Sequence, residues 1–175
     1  REIRPLLVAV GFSVDKRVFV RPRAEIIDTL GFEIDRFSSA ESFTFTMRAT
    51  LLVGQLPPGT KATERAALTS AYPAYRRQFE PHTITHALAP ALVAMQVVDD
   101  TSEALVWFDG FHTLNDVVAF LAERDRESGH PEHAYTRGML LGRAGRVDEA
   151  RAAFEHAIGD REAIRRAAAL FGIAG

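Results

Sequence analysis

The sequence predicts an α+β fold: an antiparallel sheet of four to five strands with helices packed on one face, followed by a C-terminal helical hairpin and a capping helix. Three observations predict it. From Phe43 to Val53 the odd positions Phe43, Phe45, Met47, Ala49, Leu51 and Val53 are apolar and alternate with Thr44, Thr46, Arg48 and Thr50. That is the period of a strand with one wet face. Ile26 to Phe37 precedes it with Ile26, Leu30, Phe32 and Ile34 on one side, so the two read as an antiparallel hairpin. Between Glu132 and Ile158, Gly138, Leu141, Gly145, Ala150, Phe154 and Ala157 set small and large apolar residues at helical spacing around a turn at Gly145.

The remaining elements follow in chain order. Ile3, Leu6, Leu7 and Val10 give Glu2–Val10 a helical face, Pro5 is harmless in the first turn, and Gly11 is a stop signal. This helix is expected to extend upstream of Arg1. Arg17–Arg21 is a short strand ended by Pro22. Gly54 to Thr83, with Pro57, Pro58, Pro73 and Pro81, reads as a long irregular stretch holding a short helix at Thr63–Ala71. Ala91–Val98 and Leu105–Phe108 read as two further strands around an Asp99-Asp100-Thr101-Ser102 turn, the first equally compatible with a buried helix segment. Thr113, with Asp116 three residues on, opens a helix in a capping-box pattern; Leu114, Val117, Val118 and Leu121 form its apolar face and Ser128-Gly129 ends it. Pro131 opens the hairpin, and Arg161–Phe171 is the capping helix. The expected division is a domain at 1–128 and a helical extension at 129–175.

Composition narrows the function classes. The 175 residues are 47% hydrophobic and 25% charged, as in an ordinary globular protein. A net charge of −2 and a pI near 6.3 give no global pull toward nucleic acid or acidic membranes, so neither is an expected partner. No run approaches the ~20 apolar residues that span a bilayer. No signal-peptide pattern is visible, so the cytoplasm is the expected compartment. The chain lacks cysteine, which removes disulfide and thiol chemistry. Lys16 and Lys61 are the only lysines, and the Arg- and Ala-rich composition fits a GC-rich bacterial genome.

On Gly138, Leu141, Ala150, Phe154 and Ala157, the segment 131–164 resembles a tetratricopeptide repeat. Gly138 and Ala150 match the small residues where the two helices cross, Leu141 and Phe154 the large packing residues. The resemblance implies that the first helix of the pair lines a groove and presents Glu132, Tyr135, Met139 and Arg143 to a protein partner. Tyr, Met and Arg are residues that interfaces enrich. Single repeats do not stand alone, which implies packing on the preceding domain. The order of Gly11-Phe12, Val18-Phe19-Val20-Arg21, Phe37-Ser38-Ser39, Phe43-Thr44-Phe45-Thr46-Met47, Trp107-Phe108 and the helix from Thr113 is similar to a bacterial domain-of-unknown-function family (number four-three-zero-four). That likeness, over residues 1–128, implies a fold and transfers no chemistry.

Catalytic signatures are absent: no GxSxG, GxxxxGK[ST] or GxGxxG occurs. His82 and His86, and His130 and His133, have helical ligand spacing, yet Thr83 and Pro131 stand where a zinc protease needs Glu, so no metal and no cofactor is expected. Asp99 and Asp100 read as turn formers. Asp28 falls on the apolar face of its strand and is expected to pair with an arginine such as Arg21 or Arg48. Tyr75, Arg76 and Arg77 combine aromatic and basic character in the long loop and form a candidate anion site. The expected function is a non-enzymatic protein–protein interaction module, monomeric or weakly dimeric. The alternatives are an anionic-ligand-binding or hydrolytic domain using the loop 54–83, and a toxin-neutralising partner.

Overall fold

A computed structural model describes residues 3–15, 18–36, 38–39, 41–54, 72–85 and 90–173. The fold is α+β, as the alternation and the helical periods require. Helix α1 (Ile3–Ala9) is followed by β1 (Ser13–Asp15), β2 (Val18–Arg23), β3 (Ile26–Ile34), β4 (Ser42–Val53), β5 (Tyr72–Gln78) and β6 (His82–Thr85). Helices α2 (Pro90–Asp109), α3 (Leu114–Ser128), α4 (Ala134–Arg143), α5 (Val147–His156) and α6 (Arg161–Ala169) complete the chain. It divides into two compact units, Arg1–His112 and Thr113–Gly175. The division therefore falls before α3, not at residue 128: α3 shares a unit with the helical hairpin and packs on α4.

In the first unit the strands run in the order β1-β2-β3-β4-β5, all antiparallel, and β6 pairs with β4 as well. β4 is the axis of the sheet. One of its edges takes β3, from Phe45 opposite Ile34 to Val53 opposite Ile26. Its other edge is shared: Ser42–Phe45 takes β6, and Arg48–Val53 takes β5 across a register shift at Leu51/Leu52. β5 and β6 thus lie in line as one interrupted strand, broken between Phe79 and Pro81. β5 and the first half of β6 fall in the stretch to Thr83 expected to be irregular. Among the described residues β5 has a neighbour on one side only, a position that suits Pro73. The expected helix at Thr63–Ala71 lies outside the described residues.

The strand expected to stop at Pro22 continues to Arg23. β1 pairs only with Val18–Val20, so nothing on that side asks Pro22 for an N–H. The wet face expected of the hairpin is also only partial. Ile26 to Leu30 are buried without alternation, and Val20, Ile27, Thr29 and Leu52, on the same side as the threonines, are buried too.

The largest correction is α2. Ala91–Phe108 is one continuous stretch of helix, with no strands and no turn. Val93, Val97, Thr101, Ala104 and Phe108 recur at intervals of three or four and are buried. They lie toward the sheet face that carries Met47, Ala49 and Leu51, with the Thr101 hydroxyl 3.7 Å from Met47 Sδ.

In the second unit the helix after Thr113 runs as expected to Ser128. The hairpin's first helix starts at Ala134, three residues past Pro131, and the last helix stops at Ala169, two residues short of Phe171. Thr113 and Asp116 form a reciprocal capping box on α3, and Gly129 ends that helix in the left-handed conformation at φ 70°. Asp125, buried, accepts bonds from the His133 backbone N–H at 2.7 Å and from Arg137 at 3.0 Å, which fixes the turn into α4. Gly145, at φ 74°, makes the α4–α5 turn, where Arg146 N–H reaches back to Leu141 O at 2.9 Å.

Candidate functional site

The residues expected to line a groove on α4 differ in their exposure. Glu132 and Arg143 are exposed, but Met139 is buried. Tyr135 is half-buried, its ring edge-on to Phe154 at 6.0 Å. The helix lies close against α5, where the Phe154 ring occupies the space that a side chain at Gly138 would need.

Tyr75, Arg76 and Arg77 sit on a strand, and the alternation of a strand separates them. Tyr75 and Arg77 face α2: the Tyr75 ring is 6.0 Å from Trp107, and Arg77 pairs with Glu103 while lying over Phe79. Arg76 is exposed on the opposite side. The three do not converge on one anion.

His82 is buried on the α2 side of β6. Its Nε2 lies 2.8 Å from Asp100 Oδ2, and its ring lies 5.3 Å from that of Phe45. Sequence spacing offered no carboxylate partner because the acid comes from α2, where Asp100 had the signature of a turn. His86 lies outside the described residues. No group of three His, Asp or Glu suited to a metal occurs among the described residues.

Asp28 is fully buried and accepts from Arg21 Nε at 2.7 Å and Arg23 Nη2 at 2.6 Å. Arg21 is the expected partner; Arg48 pairs with Glu33 instead. Arg23 is two residues from Arg21, hence on the same side of β2, a signal that period two contained. The arginines continue to the end of α2: Arg21 to Asp109 at 2.8 Å, Arg23 to the carbonyls of Phe108 and Phe111 at 2.9 and 2.6 Å. Burial pushes the Asp28 carboxyl up, against the bonds from Arg23 and Arg21 that pull it down. This cluster fastens the β2–β3 hairpin to the helix C-terminus, where unsatisfied carbonyls favour cations.

The helical unit holds a groove that sequence spacing did not reveal. Phe154 from α5, Ile164 and Ala168 from α6, and Ile173 beyond it form an apolar floor in a depression of about 430 Å³. Arg151, Arg161 and Arg165 stand around it, all exposed, with Glu155 the one acid among its lining residues. None of the three arginines makes an ion pair among the described residues. Elsewhere Arg21, Arg23, Arg48, Arg77, Arg124, Arg126, Arg137 and Arg146 are all engaged with carboxylates. No family model matches this chain, and neither curated proteins nor solved structures give a significant match to it.

Proposed function

We propose that the chain is a non-enzymatic interaction protein of the bacterial cytoplasm, and that its helical unit takes a partner segment carrying acidic and apolar side chains in the groove between α5 and α6. The observation that carries this reading is the convergence of Arg151, Arg161 and Arg165 on one apolar floor with no internal carboxylate partner among the described residues. Guanidinium groups at a rim steer and orient acidic partners, while the apolar floor supplies contact area. The likeness of α4 and α5 to a tetratricopeptide repeat accords with a role in protein recognition. It moves the expected surface, however, from α4 to the far side of α5. No helix among the described residues is long and apolar enough to cross a membrane.

Selection of random peptides displayed on phage against the immobilised chain tests this. Enriched sequences should place Asp or Glu beside Leu, Ile or Phe. Their binding should weaken with salt, and by on the order of tenfold or more in an Arg161→Glu/Arg165→Glu variant of unchanged thermal midpoint. Peptides that bind this variant undiminished, or that lose binding only in Tyr135→Ala/Arg143→Ala, would refute the groove.

A further inference from the structure

The first unit contains a second recess, unrelated to the arginine-rimmed groove. It is a cleft of about 260 Å³ between the sheet and the two helices of that unit. On the sheet side it is walled by Phe32, Phe45 and Ile84, and on the helix side by Ile3 from α1 and by Val93 and Val97 from α2. Pro90 and Ala94 complete the lining, so every lining side chain among the described residues is apolar.

We propose that this cleft is a binding site for a small, uncharged aromatic or cyclic apolar molecule. The first support is chemical. Among the described residues the lining side chains offer a charged ligand no partner, whereas an apolar ring gains contact with all of them. An apolar cavity of about 150 Å³ accepts benzene, so about 260 Å³ accommodates one substituted ring. It falls short of the roughly 300–1,000 Å³ of sites for larger molecules.

The second support is that the walls cannot easily fold into the space. Phe19, Phe32 and Phe45 form a cross-strand line of rings, with centroids 6.3 and 6.0 Å apart, and His82 continues it at 5.3 Å. Asp100 holds that last ring from α2. Phe45 is thereby held between Phe32 and a fixed imidazole. The helix wall is in turn tied to the sheet through Arg77–Glu103, and Thr101 packs on Met47. A wall fixed in this way presents ring faces and edges ready for a tilted aromatic guest. The buried His82–Asp100 pair, which no catalytic reading absorbs, acquires a role as the anchor of that wall.

Toluene is the test probe and benzoate its charged counterpart. In the 175-residue chain at millimolar toluene, NMR should show saturable shifts of the methyl groups of Ile3, Ile84, Val93 and Val97. The thermal midpoint should rise by about 2 °C or more, and benzoate should do neither. Ala94 is half-buried, so Ala94→Phe can fill the cleft from its mouth; the folded variant should lose the toluene response. The site is refuted if those methyls do not move in the unaltered chain, if benzoate binds as well as toluene, or if folded Ala94→Phe still responds. Should Ala94→Phe fail to fold, the methyl map of the unaltered chain decides alone.

Discussion

The ring of Phe154 lies where residue 138 would carry a side chain: a β-carbon built on Gly138 would stand 2.7 Å from Phe154 Cε1. The phenylalanine is itself held, edge-on by Tyr135 and stacked on Phe171 at 6.4 Å, so it has little room to yield. Helix propensity alone says that Gly138→Ala should stabilise α4 by roughly 1 kcal/mol. The packing says the reverse, a loss of about 1–3 kcal/mol from forcing the ring aside. Urea denaturation decides by its sign, and the penalty should shrink in a Phe154→Leu background.

Asp28→Asn should cost about 3 kcal/mol, since an amide cannot accept from both Arg21 and Arg23 and leaves one of them without its acceptor. The pH dependence has a definite sign. Because burial raises the Asp28 carboxyl above its unfolded value, the native chain holds that proton more tightly than the unfolded chain does. Its stabilising contribution is complete below about pH 3.9 and is lost as pH rises through the raised native value. The stability gap between the unaltered chain and Asp28→Asn should therefore be wider at acid pH than at neutral pH. A gap that widens toward neutrality would contradict this.

Adjacent aspartates should behave differently. Asp100→Ala removes the carboxylate that lies 2.8 Å from the buried His82 Nε2 and should cost about 1–3 kcal/mol. Asp99 is exposed, and Asp99→Ala should stay within about 0.5 kcal/mol. Equal effects in thermal denaturation would mean that the His82–Asp100 contact carries no weight.

Thr113→Ala takes away the side chain that accepts from the Asp116 N–H and should destabilise by about 1 kcal/mol. Asp160→Ala should act likewise at α6, where Oδ1 accepts from the N–H groups of Glu162 and Ala163. Calorimetry of each variant checks both.

What the sequence made legible were the elements whose signal is local. The hairpin of β3 and β4 announced itself by period two, and the helices after Thr113 by their caps and glycines. Helix α2 was hidden because Asp99-Asp100-Thr101-Ser102 has the composition of a turn. In the fold those groups find other uses. The Thr101 hydroxyl donates to Val97 O at 2.7 Å and the Ser102 hydroxyl to Val98 O at 2.9 Å, both four residues back along the helix, and Asp100 is taken by His82. Tertiary context absorbed the turn formers. The groove floor was hidden for a related reason: Phe154 and Ile164 fall on different helices, and no spacing within one helix brings Arg151 beside Arg165.

The in-line arrangement of β5 and β6 bears on the character of the sheet's edge. Together they would present an outer row of unpaired N–H and C=O groups along nearly the whole length of β4, a template on which another chain's strand could dock. Two prolines interrupt that row, Pro73 inside β5 and Pro81 at the break, and each removes a donor. At the far side of the sheet β1 is only three residues long. Among the described residues both margins of the sheet are thus short or interrupted, the kind of edge that pairs poorly with another chain's strand, and the interruption is the same irregularity that disguised the last two strands.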